Sequence, residues 1–132
     1  MAGCVSPPLP VIAERYRALL ELGDDVVHIY KGGNDFASLG MIEASRMHCF
    51  HINDYPSDPP RESIADKHRV FPGDGVCPLP KIIRQLIDNG FQGAFSLELF
   101  NPEYWERDPL EVATEGLSKS RKVVEEAVAL PG

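Results

Sequence analysis

The sequence predicts an α/β fold built from parallel βαβ units. Two observations carry this. Segments of helical periodicity alternate with short β-branched and aromatic runs in the order α-β-α-β-α-β-α. An apolar content of 43% with 25% charged residues over 132 positions suits one globular domain.

Each element has its own signal. Residues 9–22 are predicted as a helix, because Leu9, Ile12, Tyr16, Leu19 and Leu20 recur at spacings of three and four and Gly23 can end it. Val26 to Tyr30 is a β-branched and aromatic run, predicted as a strand. After the Lys31-Gly32-Gly33-Asn34-Asp35 loop, Phe36 to about Ile42 is predicted as a short helix, and Met47 to Asn53 as the second strand. A long loop from Asp54 to about Cys77 carries Pro56, Pro59, Pro60, Pro72, Gly73 and Gly75. Loops of that length in compact domains are uncommon and usually serve function. Leu79, Ile82, Ile83, Leu86 and Ile87 follow i, i+3, i+4, i+7, i+8 and predict a helix that Asn89-Gly90 ends. Gly93 to Phe100 is predicted as the third strand. Asp108-Pro109 opens a last helix to about Ala129, with Leu110, Ala113, Leu117, Val124 and Ala127 on one side.

Charge and composition exclude several roles. Thirteen Lys and Arg against 20 Asp and Glu give a net charge of −7, with no basic block to grip a phosphate backbone, so no nucleic-acid partner is expected. No apolar run reaches the ~18 residues of a membrane helix, so no membrane partner is expected either. Met1-Ala2-Gly3-Cys4 runs into prolines and does not read as a secretory signal. Cys4, Cys49 and Cys77 are odd in number and lack CxxC spacing, which fits a reducing, cytoplasmic setting.

Strand parity locates the candidate chemistry. On the third strand Ala94, Ser96, Glu98 and Phe100 share one face and Phe95, Leu97 and Leu99 the other. On the second, Cys49, His51 and Asn53 oppose Phe50 and Ile52. The bulky faces suit helices, and the small and polar faces suit a crowded barrel interior. His51 and Glu98 then sit at strand C-terminal ends, where α/β barrels keep their functional residues.

Five groups could carry chemistry, most with a plainer alternative. His51-Ile52-Asn53-Asp54 offers a metal ligand in His51, with Asp54 behind it or on substrate; the same string reads as a core histidine and an aspartate that caps the loop. Asp24-Asp25-Val26-Val27-His28 offers a cation ligand and a hydroxyl contact three residues apart, or a surface turn. Arg69-Val70-Phe71-Pro72-Gly73-Asp74-Gly75 presents a planar donor fork and glycines that let backbone approach a ligand, or an ordinary Pro-Gly turn. Glu98, in so apolar a strand, needs a partner or a metal. The Asn101-Pro102-Glu103-Tyr104-Trp105 cluster either walls a pocket or packs as an aromatic loop. Gly32-Gly33 is no phosphate loop, because GxxxxGK[ST] is absent.

Taken together, YKGGNDF, HINDYP, RVFPGDG and GFQGAFSLELFNPEYW resemble the sugar phosphate isomerase/epimerase family. This is the xylose isomerase-like TIM barrel group of the AP endonuclease 2 superfamily, which also contains inosose isomerases and dehydratases, tagatose 3-epimerases and endonuclease IV. The likeness covers about residues 24–128. It implies that residues 1–132 are the C-terminal part of a (β/α)8 barrel, about the last three parallel strands with their helices. In that family two Glu, one Asp and one His hold a divalent metal. The resemblance maps metal-ligand roles onto Asp25, His51 and Glu98, a catalytic acid/base role onto Glu98, and substrate contacts onto His28, Arg69 and Asp54. The family's other Glu lies on an earlier strand and has no counterpart here. A whole barrel needs ~200–250 residues.

The donor set favours Mn²⁺, Mg²⁺, Co²⁺ or Zn²⁺ over a thiolate-held structural zinc. The implied reaction is proton transfer through an enediolate on a ketose, sugar phosphate or inosose, with a small-molecule sugar as the partner. A non-catalytic half-barrel or interaction module is the alternative. A dehydratase would use the same scaffold. An endonuclease is disfavoured by the −7 charge and the shortage of ligands for a trinuclear zinc site. The lone polypeptide is expected to self-associate or to need the N-terminal half-barrel, and to show little isomerase activity.

Overall fold

The computed structural model describes residues 24–33 and 35–132. The helix expected over 9–22 lies outside them.

Three parallel strands form one sheet in sequence order. Strand β1 (Asp24–Asp25) leads into helix α1 (Val26–Lys31). Two 3-10 turns, Phe36–Met41 and Ala44–Arg46, precede β2 (Cys49–Ile52). A 3-10 turn at Asp66–His68 interrupts the long loop to α2 (Leu79–Asp88). Strand β3 (Ala94–Leu97), a short α3 (Pro102–Trp105) and the long α4 (Pro109–Ala129) complete the chain. Asp25 pairs with His51, and His51 with Ser96, so the chemistry-bearing ends of the strands lie in one row.

One expected element is replaced. Val26 to Tyr30 is helix, not strand. The Asp25 carboxylate accepts from the Val27 N–H at 2.9 Å and from that of His28 at 3.4 Å. This N-cap satisfies amides that a helix start leaves open, and it outweighs the modest β preference of Val and Ile. The strand is the two residues before it.

The core lies between the sheet and the helices. Phe50 and Ile52, the bulky face of β2, are buried with Leu79, Ile82, Ile83 and Leu86 of α2. The opposite parity stays open: Cys49, His51 and Ser96 are half-buried and Ala94 is exposed. Helix α4 departs from the expected face. It buries Gly116, Val123 and Ala127, while Leu110 is 75% and Leu117 53% exposed. The contact is close at Gly116, where a Cβ would run into the Leu97 side chain.

One side chain gathers both ends of the long loop. Asp54 Oδ1 accepts from the N–H groups of Tyr55 (2.8 Å) and Cys77 (2.9 Å), and Oδ2 from those of Gly73 (3.0 Å) and Gly75 (3.1 Å). A two-hydrogen-bond bridge between Asp54 and Val70 returns the loop to the end of β2. A Cβ at Gly75 would overlap both Asp54 Oδ1 and the Tyr55 carbonyl. Gly73 has φ +87°, the left-handed region that a side chain disfavours.

Candidate metal centre

The site is assembled from three strand ends and the loop. Asp25 closes β1, His51 lies in β2 opposite it, and Glu98 follows β3. One ligand atom from each lies within 4.8 Å of the others. His51 Nδ1 is 3.1 Å from Glu98 Oε2. The loop then brings in Arg69, which is buried at 1% exposure. Its Nη1 donates to Asp25 Oδ2 at 2.7 Å and to Glu98 Oε2 at 2.9 Å. Its Nη2 donates to Asp66 Oδ1 at 2.6 Å and lies 3.4 Å from His28 Nε2.

Arg69 is fastened from several sides. Asn101 caps α3 by accepting from the Glu103 N–H, and its Nδ2 donates to the Arg69 carbonyl at 3.1 Å. The Phe100 ring lies 5.1 Å from the guanidinium carbon, within cation–π range. The inboard end of the 101–105 cluster thus holds the arginine, while Trp105 is 68% exposed.

Charges set the electrostatics. Burial alone would lower the Arg69 pKa, but the charge of Asp25 and the hydrogen bonds to Asp66 and Glu98 raise it above its ordinary value. Partial burial would raise that of Glu98, yet the hydrogen bonds from Arg69 and His51 hold it below the usual carboxylate value. The Arg69 hydrogen bond lowers Asp66 as well, against a smaller burial effect. Asp25, Glu98 and Asp66 are three carboxylates against one guanidinium. A divalent cation would complete that balance.

The donor set fits a divalent cation. Carboxylate and imidazole donors suit a borderline or hard dication. Bonds of about 2.1 Å span at most roughly 4.2 Å between opposite ligands, so the 4.8 Å spread closes with shifts of a few tenths of an ångström. Asn53 Nδ2 donates to Asp25 Oδ2 at 3.1 Å and to the Glu98 carbonyl at 3.3 Å. Its Oδ1 is buried with no partner among the described residues, a spare acceptor beside a wall of acceptors. Such a wall attracts a cation.

Of the residues expected at the site, Asp25, His51, Glu98, Arg69 and His28 come together. Asp54 does not join them as a free group. It is 1% exposed and four backbone amides occupy both its oxygens, so its observed task is to hold the loop that delivers Arg69. Burial pushes its carboxyl upward despite those amides. Sequence reasoning missed Asn53 and Asp66. Asn53 shares its strand parity with His51, a signal that could have found it; Asp66 carries no such signal.

Comparison with known proteins agrees with this architecture. A family model described as "Xylose isomerase-like TIM barrel" matches residues 20–123. The chain belongs to the xylose isomerase-like TIM barrel family. Its relatives include inosose isomerases from Bacillus subtilis, 30% identical over 105 residues, and from Halalkalibacterium halodurans, 33% identical over 82. The matches cover 80% and 62% of this chain but 36% and 29% of those proteins, so the chain spans about a third of their length. A solved structure of an IolI protein with a bound zinc atom superposes with a TM-score of 0.72 at 28% identity, covering 80% of this chain and 38% of that one. The fold is accordingly part of a TIM barrel. Among the described residues no helix is long and apolar enough to cross a membrane, and Cys49 and Cys77 are free.

Proposed function

We propose that this chain carries the metal-holding strand ends of a divalent-metal-dependent isomerase or epimerase acting on an inosose or related ketose. The observation that carries the reading is the convergence of Asp25, His51 and Glu98 beside a buried arginine. The inosose isomerase relatives support the substrate class, and the zinc-bound IolI neighbour supports a divalent metal. Asp25, His51 and Glu98 would hold the ion. When bound, a divalent metal acts as a Lewis acid toward carbonyl and hydroxyl oxygens.

The chain's own residues account for the rest. Glu98 stays ionised at neutral pH and can accept the proton from the carbon next to the ketose carbonyl. The C–H pair becomes the C=C of an enediolate. Returning the proton to the neighbouring carbon isomerises; returning it to the opposite face epimerises. His28, 64% exposed beside Arg69, supplies a hydroxyl contact, and Arg69 orients the sugar oxygens. The open face of β2 and β3 is where the remainder of a barrel would close the pocket, and a base for the second face of the sugar would come from there.

Sequential calorimetry tests this, first with Zn²⁺ or Mn²⁺ and then with an inosose. One ion per chain is expected, with sugar heat only in the metal-loaded protein. A loaded chain that ignores the sugar would contradict the substrate reading, and a chain that binds no ion would contradict both.

A further inference from the structure

We infer that Arg69 is an internal stand-in for the metal: its Nη1 occupies the cation position between Asp25 and Glu98, and an incoming ion must displace it. This rests on the proposed metal reading and concerns how the site is kept in its metal-free state. Three observations carry it. First, Nη1 lies 2.7 Å from Asp25 Oδ2 and 2.9 Å from Glu98 Oε2, so one donor nitrogen bridges carboxylates from two of the three candidate ligands. Asp25 Oδ1 is committed to the α1 cap, which leaves Oδ2, where Arg69 Nη1 and Asn53 Nδ2 both donate, as the oxygen turned toward the site. Second, Arg69 is 1% exposed, and its Nε is buried with no partner among the described residues. A planar fork satisfied on one edge and orphaned on the other is placed for its charge, not for a complete hydrogen-bond set. Third, Nη2 is tethered separately, to Asp66 Oδ1 at 2.6 Å. Losing the Nη1 contacts therefore leaves one strong charge-assisted bond in place.

The physical reason is electrostatic. Without a cation, Asp25 and Glu98 would sit as like charges around half-buried His51, at a cost to the fold. Arg69 removes that cost. The same positive charge then opposes a dication at the same oxygens. Once an ion takes the carboxylates, Nη1 is released at the mouth of the site while Asp66 retains the other arm, so an arginine free for a sugar oxygen exists only in the metal-loaded state.

The test uses Zn²⁺ alone, with no substrate. In calorimetry, Arg69→Met is expected to bind Zn²⁺ at least ~10-fold more tightly than the wild type, because a unit positive charge beside the ligands is gone. In the wild type, hydrogen exchange of the Arg69 Nη protons followed by NMR is expected to be slow without metal and to lose protection as Zn²⁺ saturates the site. Equal or weaker binding by a folded Arg69→Met would overturn the inference, as would Nη protection unchanged at saturation. The exchange measurement decides the matter if the variant does not fold. Absence of Zn²⁺ heat in both proteins would bring down the metal reading itself, an outcome distinct from equal binding by both.

Discussion

At the scale of single residues, Asn53 shows how a neutral side chain can set a charged site. Fully buried, it ties Asp25 Oδ2 to the Glu98 main chain and so fixes the direction in which that carboxylate faces the site. Asn53→Ala is expected to weaken Zn²⁺ binding by ~10–100-fold, the usual loss when a group that orients ligands is removed. The same substitution should lower stability by roughly 1–3 kcal/mol from the unpaired acceptors left behind. Zn²⁺ calorimetry and a thermal melt read the two effects separately. Asp66 makes a pH-dependent contribution. Its folded pKa is lowered by Arg69, so its stabilisation is present above the ordinary aspartate value of 3.8 and is lost as pH falls through the lowered one. The difference in Tm between wild type and Asp66→Asn is therefore expected at neutral pH and should shrink to nothing in acid. Asp54, shifted the opposite way, is common to both proteins and cancels in that comparison.

At the scale of elements, the structure separates what periodicity can tell from what only packing decides. Helices α2 and α4 were legible because their caps and apolar spacing agree: Asp108 accepts from Leu110 and Glu111 N–H groups, and Leu79, Ile82, Ile83 and Leu86 are all buried. Strand parity put His51 and Glu98 on one side, and their 3.1 Å contact follows from it. Helix α1 was not legible, because Val26, Val27, Ile29 and Tyr30 have strand composition and the deciding feature is a cap from Asp25. The outward face of Leu110 and Leu117 on α4 was equally hidden, since the helix carries apolar residues on more than one side and the sheet selects among them. Asp54 belongs to this scale: only the folded loop reveals that four amides from its two ends meet at one carboxylate. Asp54→Ala is expected to cost at least ~2 kcal/mol, because it strands buried donors. Amide exchange should accelerate at Tyr55, Gly73, Gly75 and Cys77 well before the rest of the chain. Unchanged exchange at those four would contradict the role assigned to Asp54.

At the scale of the whole molecule, the described fold is one curved wall of a barrel. Among the described residues β1 and β3 each pair on one side only, and the face that would look into a barrel carries exposed Ala94 and 42%-exposed Phe100. Open strand edges and wet apolar surface both favour association. Sedimentation of the 132-residue chain is expected to give a mass above 14.6 kDa that rises with concentration. A monomer across the accessible range would contradict this.

Asp25, His51 and Glu98 are proposed to hold one metal ion, and an anomalous difference map from crystals grown with Zn²⁺ tests this most directly. A single strong peak is expected within bonding distance of Asp25 Oδ2, His51 Nδ1 and Glu98 Oε2, with Arg69 Nη1 withdrawn from both carboxylates. Zinc absent from that position at saturating concentration, with Arg69 still bridging Asp25 and Glu98, would contradict it.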